Sequence, residues 1–313
     1  MDEIDQRLVC ALQHNGRLSW GRIAHALGVS ERTIARRAGT LLGSGTVRVV
    51  AIRNAFRVPG WTPMVLRVRC RPGQVRAVAE ALARRSDVLL TDILGGGDEV
   101  CATVFSRSPQ QRSALLLRDL PATAAVTSWT AYGLLRVFAE ALRWEAGLLS
   151  AEQLEALGPP YPGPVPGPAR PPHPVDERLA ELLSTDARMS HAELAAGANI
   201  SESTARRRVE DLLKDGSVRI TADVDVAHLG FGVEAALWLT VRPEAVERVG
   251  QALASHPATW FVGATTGPAN LLAYVVLPAL DDLYLFLGAM PEVAQCETTL
   301  FLHAVKRAGV LRR

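Results

Sequence analysis

Apolar residues at the start of the chain fall at helical spacing in three short stretches and then switch to alternation. Ile4, Leu8, Ala11 and Leu12 share one face of a helix predicted over residues 4–12, which stops near Asn15 and Gly16. A second helix is predicted over residues 20–27, capped by Ser19, with Ile23 and Leu27 turned inward. Gly28 and Val29 make a tight turn into a third, residues 30–42. There Ser30 is the N-cap, Thr33 adds a hydroxyl at the third helical position, and Ile34, Ala38 and Leu41 form the apolar stripe. After Gly43-Ser44-Gly45, residues 46–52 are rich in β-branched side chains and suit the strand or wing of a winged helix-turn-helix.

The same pattern returns 171 residues later, without a gap. Ser201 repeats Ser30, Thr204 repeats Thr33, and Ala205, Val209 and Leu212 repeat the stripe. Asp176, Arg178, Leu179 and Leu183 stand for Asp5, Arg7, Leu8 and Leu12, and Arg188 and Ser190 for Arg17 and Ser19. The turn glycine becomes Asn199, one of the few other residues that accepts a positive φ. So long a repeat, with matching caps, turns and basic positions, indicates duplication.

From Trp61 onward the pattern is that of a sheet domain. Strands are predicted at 64–70, 88–94, 100–105 and 126–137, with helices at 75–85 and 109–120. The order is βαββαβ, ferredoxin-like, and 234–241, 245–255, 259–265, 270–277, 280–290 and 296–305 repeat it. Between the halves, residues 158–174 are dense in proline and glycine and read as an extended spacer, preceded by a short helix at 151–157. The expected organisation is therefore α+β in five segments. Residues 1–54 and 175–225 are winged helix-turn-helix domains, 61–140 and 231–313 are sheet domains, and 141–174 link the halves.

Composition adds limits. At 313 residues and 48% hydrophobic, the chain has the length for several domains and the material for their cores. A net charge of +2 confines any nucleic-acid surface to local patches. Cys10, Cys70, Cys101 and Cys296 stand far apart in apolar runs and read as buried thiols. The acidic N-terminus lacks the features of a secretory signal, and no apolar run is long enough to span a bilayer, so a soluble, cytoplasmic protein is expected. His14, His25, His173 and His191 fall on predicted surfaces, and His228 and His303 near sheet elements, none at ligand spacing. No metal, cofactor or catalytic set is expected.

The candidate chemistry lies on the third helix of each repeat. An arginine fork can read guanine O6 and N7 or clamp a phosphate. Glu31, Arg32, Thr33 and Arg36 are assigned to bases or nearby phosphates, and Arg37 and Arg48 to the backbone. In the second copy Ser203, Thr204, Arg206 and Arg207 are base candidates, with Arg208 and Arg219 on phosphates. Helix-surface ion pairs with Glu202 or Glu210 are the competing use of these arginines. Arg32 is replaced by Ser203 and Ala35 by Arg206, so the two reading heads are unequal.

These features resemble the Lrp/AsnC (feast/famine) family of transcription regulators, in a tandem form. The resemblance is carried by Ile4-Asp5-Gln6-Arg7-Leu8, Leu27-Gly28-Val29-Ser30, Gly45-Thr46-Val47 and the glycine loops of the sheet domains. It implies sequence-specific binding of double-stranded DNA through Ser30, Ser201 and the residues above. It also implies an ACT-like regulatory domain that binds an amino acid or other small metabolite near the loop between its second and third strands. Here those loops are Gly95-Gly96-Gly97-Asp98-Glu99 and Thr266-Gly267-Pro268-Ala269-Asn270. The family commonly has Thr-Gly-x-x-Asp, and the departures at Glu99 and Asn270 suggest that the two loops do not bind the same thing. A plain β-turn is the other reading of each loop. The halves are expected to pair within one chain and to self-associate further. A fused Lrp-like chain also resembles the decarboxylases of siroheme-type tetrapyrroles, which would call on His228, His303 and arginines of the sheet domains.

Overall fold

A computed structural model of the chain describes residues 1–54, 61–141, 144–159, 173–290 and 292–312. In chain order its elements are α1 (Glu3–His14), α2 (Trp20–Leu27), α3 (Glu31–Gly43), β1 (Val47–Arg53), β2 (Thr62–Cys70), α4 (Val75–Ala83), β3 (Val88–Leu94), β4 (Glu99–Ser106), α5 (Pro109–Ala114) and β5 (Val126–Ala139). The second half supplies α6 (Ala151–Leu157), α7 (Pro174–Thr185), α8 (His191–Ala198), α9 (Glu202–Lys214) and β6 (Val218–Val224). Last come β7 (Val233–Thr240), α10 (Val246–Ala254), β8 (Thr259–Thr265), β9 (Leu271–Leu277), α11 (Leu280–Ala289), β10 (Gln295–Arg307) and β11 (Val310–Leu311). They sort into two compact units, Met1–Pro59 with Leu142–Leu229 and Gly60–Ala141 with Gly230–Arg313. Most of the Pro/Gly-rich spacer, residues 160–172, lies outside the described residues.

The first unit holds both helix-turn-helix sets. Leu8, Leu12, Ile23 and Ile34 are buried in the first, and Leu179, Leu183, Leu194 and Val209 in the second. The turns into α3 and α9 use Gly28 at φ 68° and Asn199 at φ 53°, the left-handed conformation the repeat called for. One expectation changes. Among the described residues neither set folds a two-stranded wing of its own, because β1 pairs antiparallel with β6. Val50 stands opposite Thr221, its own counterpart in the repeat, so a pseudo-dyad passes through the ladder there. Each strand packs on the first helix of the other set, β6 on α1 and β1 on α7.

The second unit is a closed barrel. Within each half the strands lie in the order β3-β4-β2-β5 and β8-β9-β7-β10, the arrangement expected for βαββαβ. Edge pairing of β5 with β8 and of β10 with β3 then joins the halves into an eight-stranded ring. Leu134 of β5 faces Thr265 and Phe301 of β10 faces Leu94, so the repeat offset has shrunk from 171 to 167 by the last strand. Even-numbered β2 residues such as Leu66 and Val68 pack against α4, while Val65 and Arg67 point into the barrel. The helix predicted at 109–120 is a short α5 that continues as a π-helical turn over Leu115–Asp119. Cys10, Cys70 and Cys101 are buried, but Cys296 lies exposed on β10, contrary to expectation.

Candidate nucleic-acid interface

Each third helix is fixed at its start by its own sequence. Ser30 Oγ accepts from the Thr33 N–H at 3.2 Å and lies 2.8 Å from Thr33 Oγ1. Ser201 does the same with Thr204, at 3.2 and 2.8 Å. The apolar stripes are buried, which leaves Glu31, Arg32 and Arg36 exposed on α3 and Ser203, Arg206 and Arg207 exposed on α9. Arg206 leans on Glu202 at 3.5 Å, the helix-surface pair anticipated above, with its side chain still 59% exposed. Long exposed guanidinium groups at the start of a capped helix are equipped to reach phosphates and base edges.

Three of the expected phosphate contacts are differently employed. Arg37 donates to Asp2 and Asp5 at 2.7 and 2.8 Å, and Arg208 donates to Asp176 at 2.9 Å. Arg37 and Arg208 therefore tie the third helix to the first within each set. The cause is geometric. Arg37 lies three residues after Ile34 and four before Leu41, so it borders the buried stripe, whereas Arg36 is turned about 100° away. Repetition of both partners, Asp5 with Arg37 and Asp176 with Arg208, was the available signal. Arg219 is only 6% exposed on β6 and so is withdrawn from any backbone contact. Arg48 is half-buried on β1, in register with Asp223.

His14, expected at the surface, is buried at 7% exposure under a strap formed by residues 144–158. Its Nδ1 lies 2.8 Å from a Glu145 carboxylate oxygen and its Nε2 2.7 Å from the Gly158 carbonyl. Oxygens at both ring nitrogens favour the imidazolium, and the Glu145 hydrogen bond raises the His14 pKa above the usual histidine value. Trp144 and Leu157 are buried in the same strap, and Arg22 donates to the Ala156 carbonyl. The equivalent of His14 in the second set is Thr185.

The glycine loops of the barrel are tight turns anchored to neighbouring strands. Gly97 has φ 73° and Gly267 φ 98°, and the Gly95 N–H donates to the Leu300 carbonyl of the neighbouring β10 at 2.7 Å. The Thr266 hydroxyl accepts from the Gly133 N–H at 2.8 Å. The two positions where the loops depart from the family pattern are both engaged inside the chain. Asn270 clasps Val241, accepting from its N–H at 2.9 Å and donating to its carbonyl at 2.8 Å. Glu99 is buried and holds Arg67 at 2.9 and 2.8 Å. Gly95 and Gly96 are exposed at the turn, and Gly97 and Asp98 are half-buried.

Arg67 organises one part of the barrel interior. Besides Glu99 it donates to Glu297 of the other half at 2.9 and 2.6 Å, and its guanidinium lies 4.6 Å from the Trp238 ring centroid. Trp238 is the repeat counterpart of Arg67, so at the barrel's pseudo-dyad an arginine meets a tryptophan where a symmetric pair would present one residue to itself. Burial works against the Arg67 charge, and the hydrogen bonds it donates to Glu297 and Glu99 more than restore it, raising its pKa. A second buried group joins Arg307 to Asp92 at 2.8 Å and Glu234 at 3.0 Å, with Trp260 4.6 Å from the guanidinium. With two carboxylates on one guanidinium, burial pushes Asp92 up to about 6. Neither cluster was visible in the sequence, since Arg67–Glu297 and Arg307–Asp92 each join strands of different halves that meet only on barrel closure. His303 is half-buried on β10, while His228 sits exposed in a short turn of the first unit.

Comparison with known proteins gives a consistent pattern. The AsnC-type helix-turn-helix domain matches residues 1–41 and again 174–213, and the Lrp/AsnC ligand binding domain matches residues 234–311. An uncharacterised HTH-type transcriptional regulator of Pyrococcus furiosus is 33% identical over 147 residues, 44% of this chain and 99% of that protein. The HTH-type transcriptional regulator Ptr1 of Methanocaldococcus jannaschii is 29% identical over 137 residues, 42% of this chain and 93% of its own length. Each relative thus aligns almost whole with less than half of this chain. Among solved structures, the siroheme decarboxylase NirDL superposes with a TM-score of 0.62 at 14% identity, covering 98% of this chain and 93% of that one. At that identity the likeness is one of fold. No described helix is long and apolar enough to cross a membrane.

Proposed function

Since the chain belongs to the Lrp/AsnC family of HTH-type regulators, we propose that it is a sequence-specific DNA-binding transcription regulator built as a single-chain pseudo-dimer. The observation that carries this is the pair of capped helices α3 and α9, each with its apolar stripe buried and its arginines exposed. On this reading the chain is a duplicated regulator, with DNA-reading segments at 1–54 and 175–225 and sensor segments at 61–140 and 231–313. Arg32 and Arg36 on one helix, and Arg206 and Arg207 on the other, contact bases and nearby phosphates. Glu31, Thr33, Ser203 and Thr204 line the same faces, and Ser30 and Ser201 hold the helix starts that face phosphate. Arg48 contacts the DNA backbone. Because Ser203 replaces Arg32 and Arg206 replaces Ala35, the two halves of the operator differ in sequence.

The barrel is the sensor, and a small metabolite such as an amino acid is read at the turns Gly95–Asp98 and Thr266–Gly267. Glu99 and Asn270 shape those turns from behind. Selection of duplexes from a random pool, with and without a mixture of amino acids, tests both parts. Enrichment of a bipartite, asymmetric site supports the regulator, and a change in affinity with the mixture supports the sensor. Absence of any enriched duplex, together with a new absorbance band on incubation with an iron tetrapyrrole, would favour the decarboxylase reading instead.

A further inference from the structure

In the first unit the turns between the first two helices of each set face each other and are joined by a reciprocal pair of arginines. Arg17 donates from Nη1 to the Ala187 carbonyl at 2.8 Å and from Nη2 to the Met189 carbonyl at 2.9 Å. Arg188 donates from Nη1 to the Gly16 carbonyl at 2.5 Å and from Nη2 to the Leu18 carbonyl at 3.1 Å. Arg188 is the repeat counterpart of Arg17, and Ala187 and Met189 are the counterparts of Gly16 and Leu18. Each arginine spans the two carbonyls flanking its own counterpart, so the contact obeys the pseudo-dyad that passes between Val50 and Thr221. Arg188 also lies 4.1 Å from the Trp20 ring centroid, on the second helix of the first set.

All four hydrogen bonds cross from one helix-turn-helix set to the other, and none belongs to the core of either. The sets are also joined by the β1–β6 ladder, by the packing of β6 on α1 and of β1 on α7, and by the Arg53–Glu177 pair between β1 and α7. These contacts all follow the ribbon, and a two-stranded ribbon twists over a wide range. A rigid guanidinium fork bonded to two carbonyls is the opposite kind of link, because it fixes direction as well as distance. The turn is also pinned to the ribbon. A Cβ on Gly16 would come within 2.7 Å of Val49 and 2.8 Å of Ile220, so the chain there has no room to slide.

From this geometry we propose that Arg17 and Arg188 are spacing-determining residues, which set the separation and relative rotation of α3 and α9 and hence the half-site spacing the protein accepts. The proposal rests on the DNA-binding reading above but is separable from it. Neither arginine touches DNA in this account. They act on recognition by holding the two helices in one relation, so their loss changes which spacings bind while leaving each half-site's sequence preference intact.

The test uses the full-length chain and the duplex it selects from a random pool, remade with one or two base pairs added to or removed from the centre. One base pair turns a half-site by about 35°, so the wild-type protein should lose roughly tenfold or more in affinity at one or two base pairs off the optimum. The Arg17→Ala/Arg188→Ala protein should vary less than about threefold over the same series while binding a single half-site as the wild type does. Arg17→Lys/Arg188→Lys, which keeps charge but loses the fork, should lie between them. Single variants replace the double one if it does not fold, and a thermal melt checks each. An unchanged spacing profile, or an equal loss at every spacing, would overturn the proposal, as would a wild-type protein indifferent to spacing. A wild-type protein that selects no duplex would instead refute the DNA-binding reading itself.

Discussion

Arg36 and Arg37 are neighbours in sequence with different work. A step of about 100° along the helix sends one outward and brings the other to Asp2 and Asp5. Replacing Arg36 or Arg207 with alanine should therefore weaken binding to one half-site by about 1–3 kcal/mol without altering the melting temperature. Replacing Arg37 should lower the melting temperature, since α3 loses its tie to α1. The comparison of melts and anisotropy titrations for the two variants separates the roles. The sequence disclosed which residues were basic and which apolar, but not side-chain direction at the stripe's border. Only the repeated Asp5–Arg37 and Asp176–Arg208 pairs hinted at it. In the barrel, Arg67→Ala leaves Glu99 buried without its cation, a loss of about 3–5 kcal/mol in denaturant unfolding.

At the scale of elements, the helices were legible because their signals are local. Ser19, Ser30, Ser190 and Ser201 all cap the helices they precede, and Ser30→Ala should cost about 1 kcal/mol. The helix at 151–157 was legible, but the docking of the strap 144–158 on His14 was not, because its anchor is a histidine 131 residues from its carboxylate partner. It yields a pH dependence of definite sign. The folded His14 pKa is raised, so the stabilisation is complete below the unfolded value of about 6.5 and is lost as pH rises through the raised folded value. Amide exchange of residues 144–158 should quicken, beyond the intrinsic pH effect, once the pH passes that value. The variant His14→Ala should exchange rapidly at every pH. Strand order within each half followed from the alternation, but closure of the barrel depends on edges β5–β8 and β3–β10, which no local pattern encodes.

At the scale of the whole chain, the repeat is both a sequence fact and a structural one, and its imperfections carry the most information. Val50 meets Thr221 in the ladder and Arg67 meets Trp238 in the barrel, each opposite its counterpart but with a different side chain. Two separate copies of one half could not make the Arg67–Trp238 contact, which is open to a single chain whose two halves differ in sequence. Because binding on this account neutralises phosphates with few arginines, affinity should fall roughly 100-fold between 50 and 200 mM salt if about four phosphates are engaged.

The most direct measurement is selection of duplexes from a random pool by the purified full-length chain, followed by sequencing of the enriched population. Two unequal reading helices in one molecule should enrich a two-part site whose halves differ in sequence and always occur in the same relative order. A pool that stays random, or a site with identical halves, would contradict the account.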